Sequence, residues 1–148
     1  MKISYLLLMI PLLVSAEPKG ALNLDVTQDN IGSTICVPNW TTTIRPSTSY
    51  TNKLKVAQIK ELGLTGSPTK YEEDHFLPLS LGGHPSDPLN LWPEAWDGDW
   101  GAHKKDRLEN HLHRAVCSKD EAKRISLQEA QTCILTDWKA CYKREIKD

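Results

Sequence analysis

The chain lacks several patterns that would assign it to a class at once. Its 18 lysines and arginines face 19 acidic residues, so the formal net charge is −1, and the count becomes −2 without Lys2. This balance excludes nucleic-acid binding through overall charge alone. The sequence has no internal repeat, no Cys-x-x-Cys pair of the zinc-knuckle type and no His-Glu-x-x-His pair. Common zinc-binding modules and zinc peptidases are therefore not indicated.

Long apolar runs are also scarce, and the one present lies at the start of the chain. Lys2 is followed by a nearly unbroken apolar stretch to Val14 and then by two small residues, the order typical of a secretory signal peptide. The stretch is shorter than the roughly 20 residues that cross a bilayer. We predict a signal peptide at residues 1–16 and one exported domain at 17–148, secreted or periplasmic, monomeric and without membrane attachment after cleavage.

Four cysteines in an exported chain permit three pairings, and an oxidising compartment favours at least one bridge. Cys133 and Cys141 fall in one predicted helix. A continuous helix would separate residues eight apart by about 12 Å along its axis, too far for a disulfide. We therefore favour a bridge between Cys36 and Cys117.

Apolar spacing predicts three helices. The first follows Thr51 as its cap and ends at Gly63, and the second runs from Ala102 to about Cys117. The last begins at Ser126, where Glu129 three residues later completes a capping box.

Short strands are predicted between the first two helices, within 70–81 and near 90–92, joined by a loop rich in proline and glycine. Residues 17–50 are predicted to be irregular, with at most a brief strand at 33–37. The expected fold class is α+β, with a short antiparallel hairpin plus helix flanked by additional helices.

The most informative segment reads DHFLPLSLGG from Asp74, followed by NL from Asn90. It resembles the core motif of the HNH nucleases, also called ββα-metal nucleases, which reads Asp/His-His, Pro-Leu, Gly-Gly, then Asn-Leu and a helix. The resemblance is close over residues 72–93 and looser at 35–38, 105–106 and 112–117. It implies a ββα-metal core and a metal-dependent endonuclease that leaves a 5'-phosphate and a 3'-hydroxyl.

The resemblance also implies roles for three residues: His75 as general base, Asp74 as metal ligand, and Asn90 as the group that bonds the loop fixing His75. The chemistry agrees, because an imidazole with a pKa near 6.5 can act as a neutral base and a carboxylate is a hard oxygen ligand. Neighbouring side chains on a strand point to opposite faces, so a break in the pleat, which Pro78 favours, is needed for both to serve one site. Asn90 could alternatively be a turn residue.

A helical metal ligand is the third position of the motif. His103, Asp106, Asn110 and His113 share one polar stripe, but only residues three or four apart can converge on one ion. In related motifs the ligand comes from the first helical turn, so His103 ranks first and Asp106 second, although a solvated helix face has the same pattern. Oxygen ligands favour Mg²⁺ or Mn²⁺, whereas His103 would shift the preference toward Zn²⁺ or Ni²⁺.

Contacts with phosphate must come from local basic clusters, which could equally be solvated helix faces. Three tryptophans at every fourth position could stack on bases, but packing of the loop onto the helix is favoured. The basic clusters are Lys104, Lys105 and Arg107, and Lys139, Lys143 and Arg144; the tryptophans are Trp92, Trp96 and Trp100.

Three functions remain in competition. The first is the metal-dependent endonuclease, acting on nucleic acid, with DNA favoured and low sequence specificity expected because few base-reading groups are visible. The second is an exported, non-catalytic binding module on a degenerate HNH scaffold, because a fold does not fix a function. The third is a zinc hydrolase with another substrate, using His75, His103 and His113.

Overall fold

A two-stranded antiparallel hairpin lies between helices in the computed structural model, which describes residues 20–147. The predicted signal peptide at 1–16 lies outside the described residues. The α+β class and the order of hairpin before helix agree with the prediction. The elements are α1 (Thr48–Glu61), β1 (Tyr71–His75), β2 (Leu91–Ala95), α2 (Ala102–Val116) and α3 (Leu127–Glu145).

Helix α1 packs on the hairpin through side-chain to backbone bonds. Its N-cap is Ser47, whose hydroxyl accepts a hydrogen bond from the amide of Tyr50, so the helix begins earlier than the predicted cap at Thr51. Lys55 Nζ donates to the Tyr71 carbonyl at 3.1 Å, and Gln58 Nε2 donates to the Leu91 carbonyl at 2.9 Å. Both strands are thereby fixed to the same helix.

The segment before α1 is irregular, as predicted, with 3-10 turns at Gln28–Ser33 and Trp40–Thr43, and residues 34–37 form turns instead of the brief strand expected at 33–37. The predicted disulfide between Cys36 and Cys117 is present, with Cα atoms 5.5 Å apart. This bridge ties the segment to the end of α2.

Helices α2 and α3 bury their apolar faces against one another and form most of the core. The buried residues recur every three or four positions, as the sequence predicted, and each side chain removed from water contributes about 1.5–3 kcal/mol. No helix among residues 20–147 is both long and apolar enough to cross a membrane. The main contributors are Leu108, Leu112, Val116, Ala130, Ile134 and Trp138.

A kink in α3 corrects the prediction that Cys133 and Cys141 are too far apart to be bridged. Asp137 has extended backbone angles (φ −166°, ψ 94°), and its carboxylate accepts hydrogen bonds at 3.0 Å from the amides of Lys139 and Ala140. Asp137 thus caps a second helical segment within α3. The kink brings the two Cα atoms to 5.5 Å, and a second disulfide joins the cysteines.

Candidate functional site

Strand pairing collects three carboxylates on the hairpin face that meets α2. Glu72 lies opposite Glu94 in the register, and Asp74 is two residues along from Glu72, so all three share one face. Their nearest oxygens lie within 4.8 Å of one another. We call Glu72, Asp74 and Glu94 the carboxylate cluster. Sequence reasoning identified only Asp74, although the alternation Glu72-x-Asp74 was a usable signal.

The side chain of Lys105 extends from α2 to the carboxylate cluster. Its side chain has no exposed surface, and Nζ donates to Asp74 Oδ2 at 2.6 Å, to the His75 carbonyl at 2.8 Å and to Glu109. The prediction that Lys105 contacts phosphate is therefore wrong. Lys105 lies on the side of α2 that faces the hairpin, and its ammonium group is already bonded to buried acceptors.

The site holds more carboxyl groups than Lys105 can neutralise. Burial raises the pKa of Glu94 to about 9, that of Glu109 to about 8 and that of Glu72 to about 7. Burial also acts on Asp74, but the charge and hydrogen bond of Lys105 outweigh it and hold the pKa of Asp74 below its usual range. Asp74 is thus the group that keeps its negative charge most firmly.

The three carboxyl groups of the cluster lie close enough together to hold one metal ion. All of its donors are oxygens, the type that Mg²⁺ and Mn²⁺ prefer. Glu94 is 2% exposed, and besides burial its raised pKa reflects the charge of Asp74 and a side-chain hydrogen bond between the two carboxyl groups. A divalent cation at this position would displace the proton that the two carboxyl groups share.

Neither of the two predicted helical ligands belongs to the cluster. His103 is exposed, and its ring centroid lies 6.0 Å from that of Trp96. Burial and the charge of Asp74 raise the pKa of Asp106, which places Asp106 within the electrostatic reach of the cluster. Within the described chain, Glu94 of β2 joins Asp74 instead of a residue from the first turn of α2.

His75 is the last residue of β1 and is 5% exposed. Its Nε2 lies 2.8 Å from the carbonyl oxygen of Pro85. Since a carbonyl only accepts, Nε2 carries the proton and Nδ1 of the neutral ring has the lone pair. Burial lowers the pKa of His75 despite the opposing effect of the Pro85 contact, so the ring is uncharged at neutral pH. An oriented, neutral imidazole of this kind can accept a proton.

Asn90 connects the two ends of the loop that carries Pro85. Its fully buried amide accepts from the Leu77 amide at 2.9 Å and donates to the carbonyls of Leu77 (3.0 Å) and His84 (2.9 Å). A Cβ at Gly83 would overlap the Leu77 carbonyl oxygen, so the close approach of these two backbone segments requires glycine. The loop bonds proposed for Asn90 exist, while the catalytic consequence remains a prediction.

Asp74 and His75 point to opposite faces of the hairpin, because β1 pairs regularly through His75 and the expected break in the pleat between them does not occur. Asp74 faces α2 through Lys105, whereas His75 faces the loop at Pro85. Arg45 is exposed and lies close enough on the His75 side for its positive charge to oppose protonation of the ring. Sequence reasoning did not single out Arg45. A substrate that uses both Asp74 and His75 must therefore reach around the end of β1.

Of the remaining predicted residues, Trp92 lies opposite Asp74 in the strand register, whereas His113 contacts the N-terminal segment. His113 Nε2 contacts the Ile35 carbonyl at 2.9 Å, so it helps to hold the N-terminal segment, and the described residues do not bring it together with His75 and His103 as a metal group. Trp92 packs edge-on against Phe76, whereas Trp96 is 37% exposed. The three-histidine arrangement required for a zinc hydrolase is not formed.

Comparison of the chain with family models, curated proteins and solved structures found no match.

Proposed function

We propose that the chain is an exported, metal-dependent endonuclease that hydrolyses phosphodiester bonds in nucleic acid, with DNA as the favoured substrate. The observation that carries the proposal is the position of an oriented, uncharged His75 directly after Asp74, which belongs to a cluster of three carboxyl groups. The resemblance of residues 72–93 to the HNH motif supports the same assignment, and the two disulfides are typical of proteins from an oxidising compartment.

His75 has the properties of a general base. With its Nε2 proton held by Pro85, Nδ1 can take a proton from a water molecule as that water attacks phosphorus. Asn90 acts indirectly, because its three hydrogen bonds hold the loop that carries Pro85. The imidazole therefore keeps one orientation before substrate arrives, which removes part of the entropic cost of reaching the transition state.

The carboxylate cluster is the proposed cation site, with Asp74 as its principal ligand and Mg²⁺ or Mn²⁺ as the favoured ion. A bound divalent cation would supply Lewis-acid stabilisation of the charge that develops on the phosphate. Asp74 and His75 leave the strand on opposite faces, but the hairpin is only two strands wide and β1 ends at His75. In the proposed complex the phosphodiester crosses this end and contacts both groups.

Plasmid nicking tests this proposal. We expect the protein to convert supercoiled DNA to the nicked form with Mg²⁺ or Mn²⁺ and to lose this activity in EDTA. Glu94→Gln should reduce activity at limiting metal, with partial recovery at higher metal concentration, because one buried ligand is weakened. Glu61→Gln, at an exposed position at the end of α1, is the matched control and should behave like the parent.

Absence of cleavage with Mg²⁺, Mn²⁺, Zn²⁺ or Ni²⁺ on double-stranded DNA, single-stranded DNA and RNA would contradict the enzyme assignment. Equal metal dependence of Glu94→Gln and the parent would instead remove the carboxylate cluster as the cation site.

A second function, the non-catalytic binding module, is favoured by one specific observation. Lys105 already provides Asp74 with a cation at 2.6 Å, so an ammonium group could replace a metal ion structurally. Calorimetric titration of the folded, disulfide-bonded protein separates the two functions. Binding of Mn²⁺ or Mg²⁺ that Asp74→Asn weakens supports the enzyme, whereas no binding of any of the four ions supports the module.

A further inference from the structure

A second feature lies where the start of α2 meets the end of α3. Trp100 packs edge-on against Trp138 and Tyr142, with ring centroids 5.5 and 5.8 Å away. Three lysines surround it: the Nζ atoms of Lys104, Lys143 and Lys139 lie 5.0, 5.5 and 5.8 Å from the centre of the Trp100 ring. We call Trp100 with Lys104, Lys139 and Lys143 the lysine platform.

The aromatic rings restrict the positions of the three lysine side chains. Lys104 also lies 5.6 Å from the Tyr142 ring, and Lys139 lies 5.9 Å from the Trp138 ring. Each cation is attracted to the negative face of a ring, and such contacts limit the freedom of otherwise mobile side chains. The contacts favour positions of the three ammonium groups around the ring before any ligand arrives, which reduces the entropic cost of binding.

The charge of the platform is not balanced by acidic partners. Among residues 20–147, no carboxylate forms an ion pair with Lys104, Lys139 or Lys143. Three like charges around a single ring repel one another, and an anion would relieve that repulsion. Lys139 and Lys143 are exposed and Lys104 is half-buried, so an anion in solution can reach them.

We propose that the lysine platform binds the phosphate backbone of the nucleic acid on which the candidate site acts; the proposal rests on the proposed function and extends it. Lys104 directly precedes Lys105, whose ammonium contacts Asp74, so the platform and the carboxylate cluster use the same turn of α2. A long polyanion can occupy both. A membrane surface is less suited to the platform because the large rings beside Trp100, those of Trp138 and Tyr142, are buried.

The platform brings together lysines from two basic clusters that are far apart in sequence. Each lysine contacts phosphate and not the edges of the bases. Contacts of this kind position a substrate without specifying its sequence. Each phosphate contact adds about 0.9 to the slope of log affinity against log salt for duplex DNA.

The test is binding of fluorescein-labelled 20-nucleotide duplex DNA, single-stranded DNA and duplex RNA in EDTA, measured by anisotropy over a range of salt concentrations. The test variant combines Lys104→Gln, Lys139→Gln and Lys143→Gln. We expect at least tenfold weaker binding than the parent and a salt slope lower by about 2 to 3. The matched control carries the same loss of charge at three exposed lysines outside the platform, namely Lys53→Gln, Lys60→Gln and Lys119→Gln.

Equal binding by the test and control variants would overturn the platform, and so would tighter binding to phosphatidylserine vesicles than to all three nucleic acids. These results are distinguishable from failure of the proposed function, because binding is measured without metal and without cleavage. Loss of binding in the test variant, together with a parent that never cleaves, would support the platform and reject the nuclease. Preference among the three probes identifies the type of nucleic acid.

Discussion

Replacing His75 by alanine is expected to lower the rate of phosphodiester cleavage by about 10²–10⁴-fold, the usual contribution of a positioned general base. The reason is the loss of the only nitrogen at this position that can take a proton from water while Nε2 is held by Pro85. Binding of nucleic acid in EDTA should change little, because the imidazole is uncharged and 5% exposed. Single-turnover nicking with Mn²⁺ measures the effect.

Two further variants separate a chemical role from a structural one. His75→Gln retains an N–H that can reach the Pro85 carbonyl but has no basic nitrogen, so it should be as inactive as His75→Ala while preserving stability better. His111→Ala removes a histidine with a 40% exposed side chain from the outer side of α2 and should retain full activity. Activity of His75→Gln within twofold of the parent would contradict the general-base assignment.

The largest effect on stability is expected for Lys105→Met. The variant retains a side chain of similar length but leaves Asp74 and Glu109 without their buried cation. Breaking a buried ion pair from one side costs about 3–5 kcal/mol of unfolding free energy. Denaturant unfolding with the disulfides intact measures the loss, and Lys53→Met on the exposed face of α1 should change stability by less than about 0.5 kcal/mol.

The variant Lys105→Met also tests whether the carboxylate cluster binds a metal ion. If the cluster binds divalent ions, Mn²⁺ should raise the melting temperature of Lys105→Met more than that of the parent, because the ion replaces the missing positive charge. Adding Glu109→Gln to Lys105→Met should recover part of the lost stability, since one unpaired carboxylate is removed. A cost below about 1 kcal/mol for Lys105→Met would show that the three contacts of this lysine do not hold α2 on the hairpin.

The fold was largely predictable because apolar spacing and caps are local signals. The capping box of Ser126 and Glu129 marked the start of α3, and the pattern around Leu108 and Leu112 marked α2. The kink in α3 was missed because the apolar spacing continues through Asp137, so periodicity alone indicates one helix. An acidic residue that caps a second segment can be recognised only when the backbone is known.

The candidate site was only partly predictable, since its charges are collected by pairing across the hairpin. The motif indicated Asp74, His75 and Asn90, all of which lie in one short segment. Glu94 joins Asp74 through strand register, which the sequence does not specify across a long loop. Lysine is usually a surface residue, so the sequence does not indicate that Lys105 is buried. Its complete burial depends on the two acids that face it.

The most direct measurement is the anomalous scattering of Mn²⁺ in crystals of the protein. We predict one strong peak at about 2.2 Å from an oxygen of Asp74, the distance typical of a hard divalent cation. Glu94 or Glu72 should provide a second ligand, and Lys105 should shift away from Oδ2 of Asp74. An occupied site elsewhere, or no peak while Lys105 still bonds Asp74, would contradict the assignment of the carboxylate cluster as a metal centre.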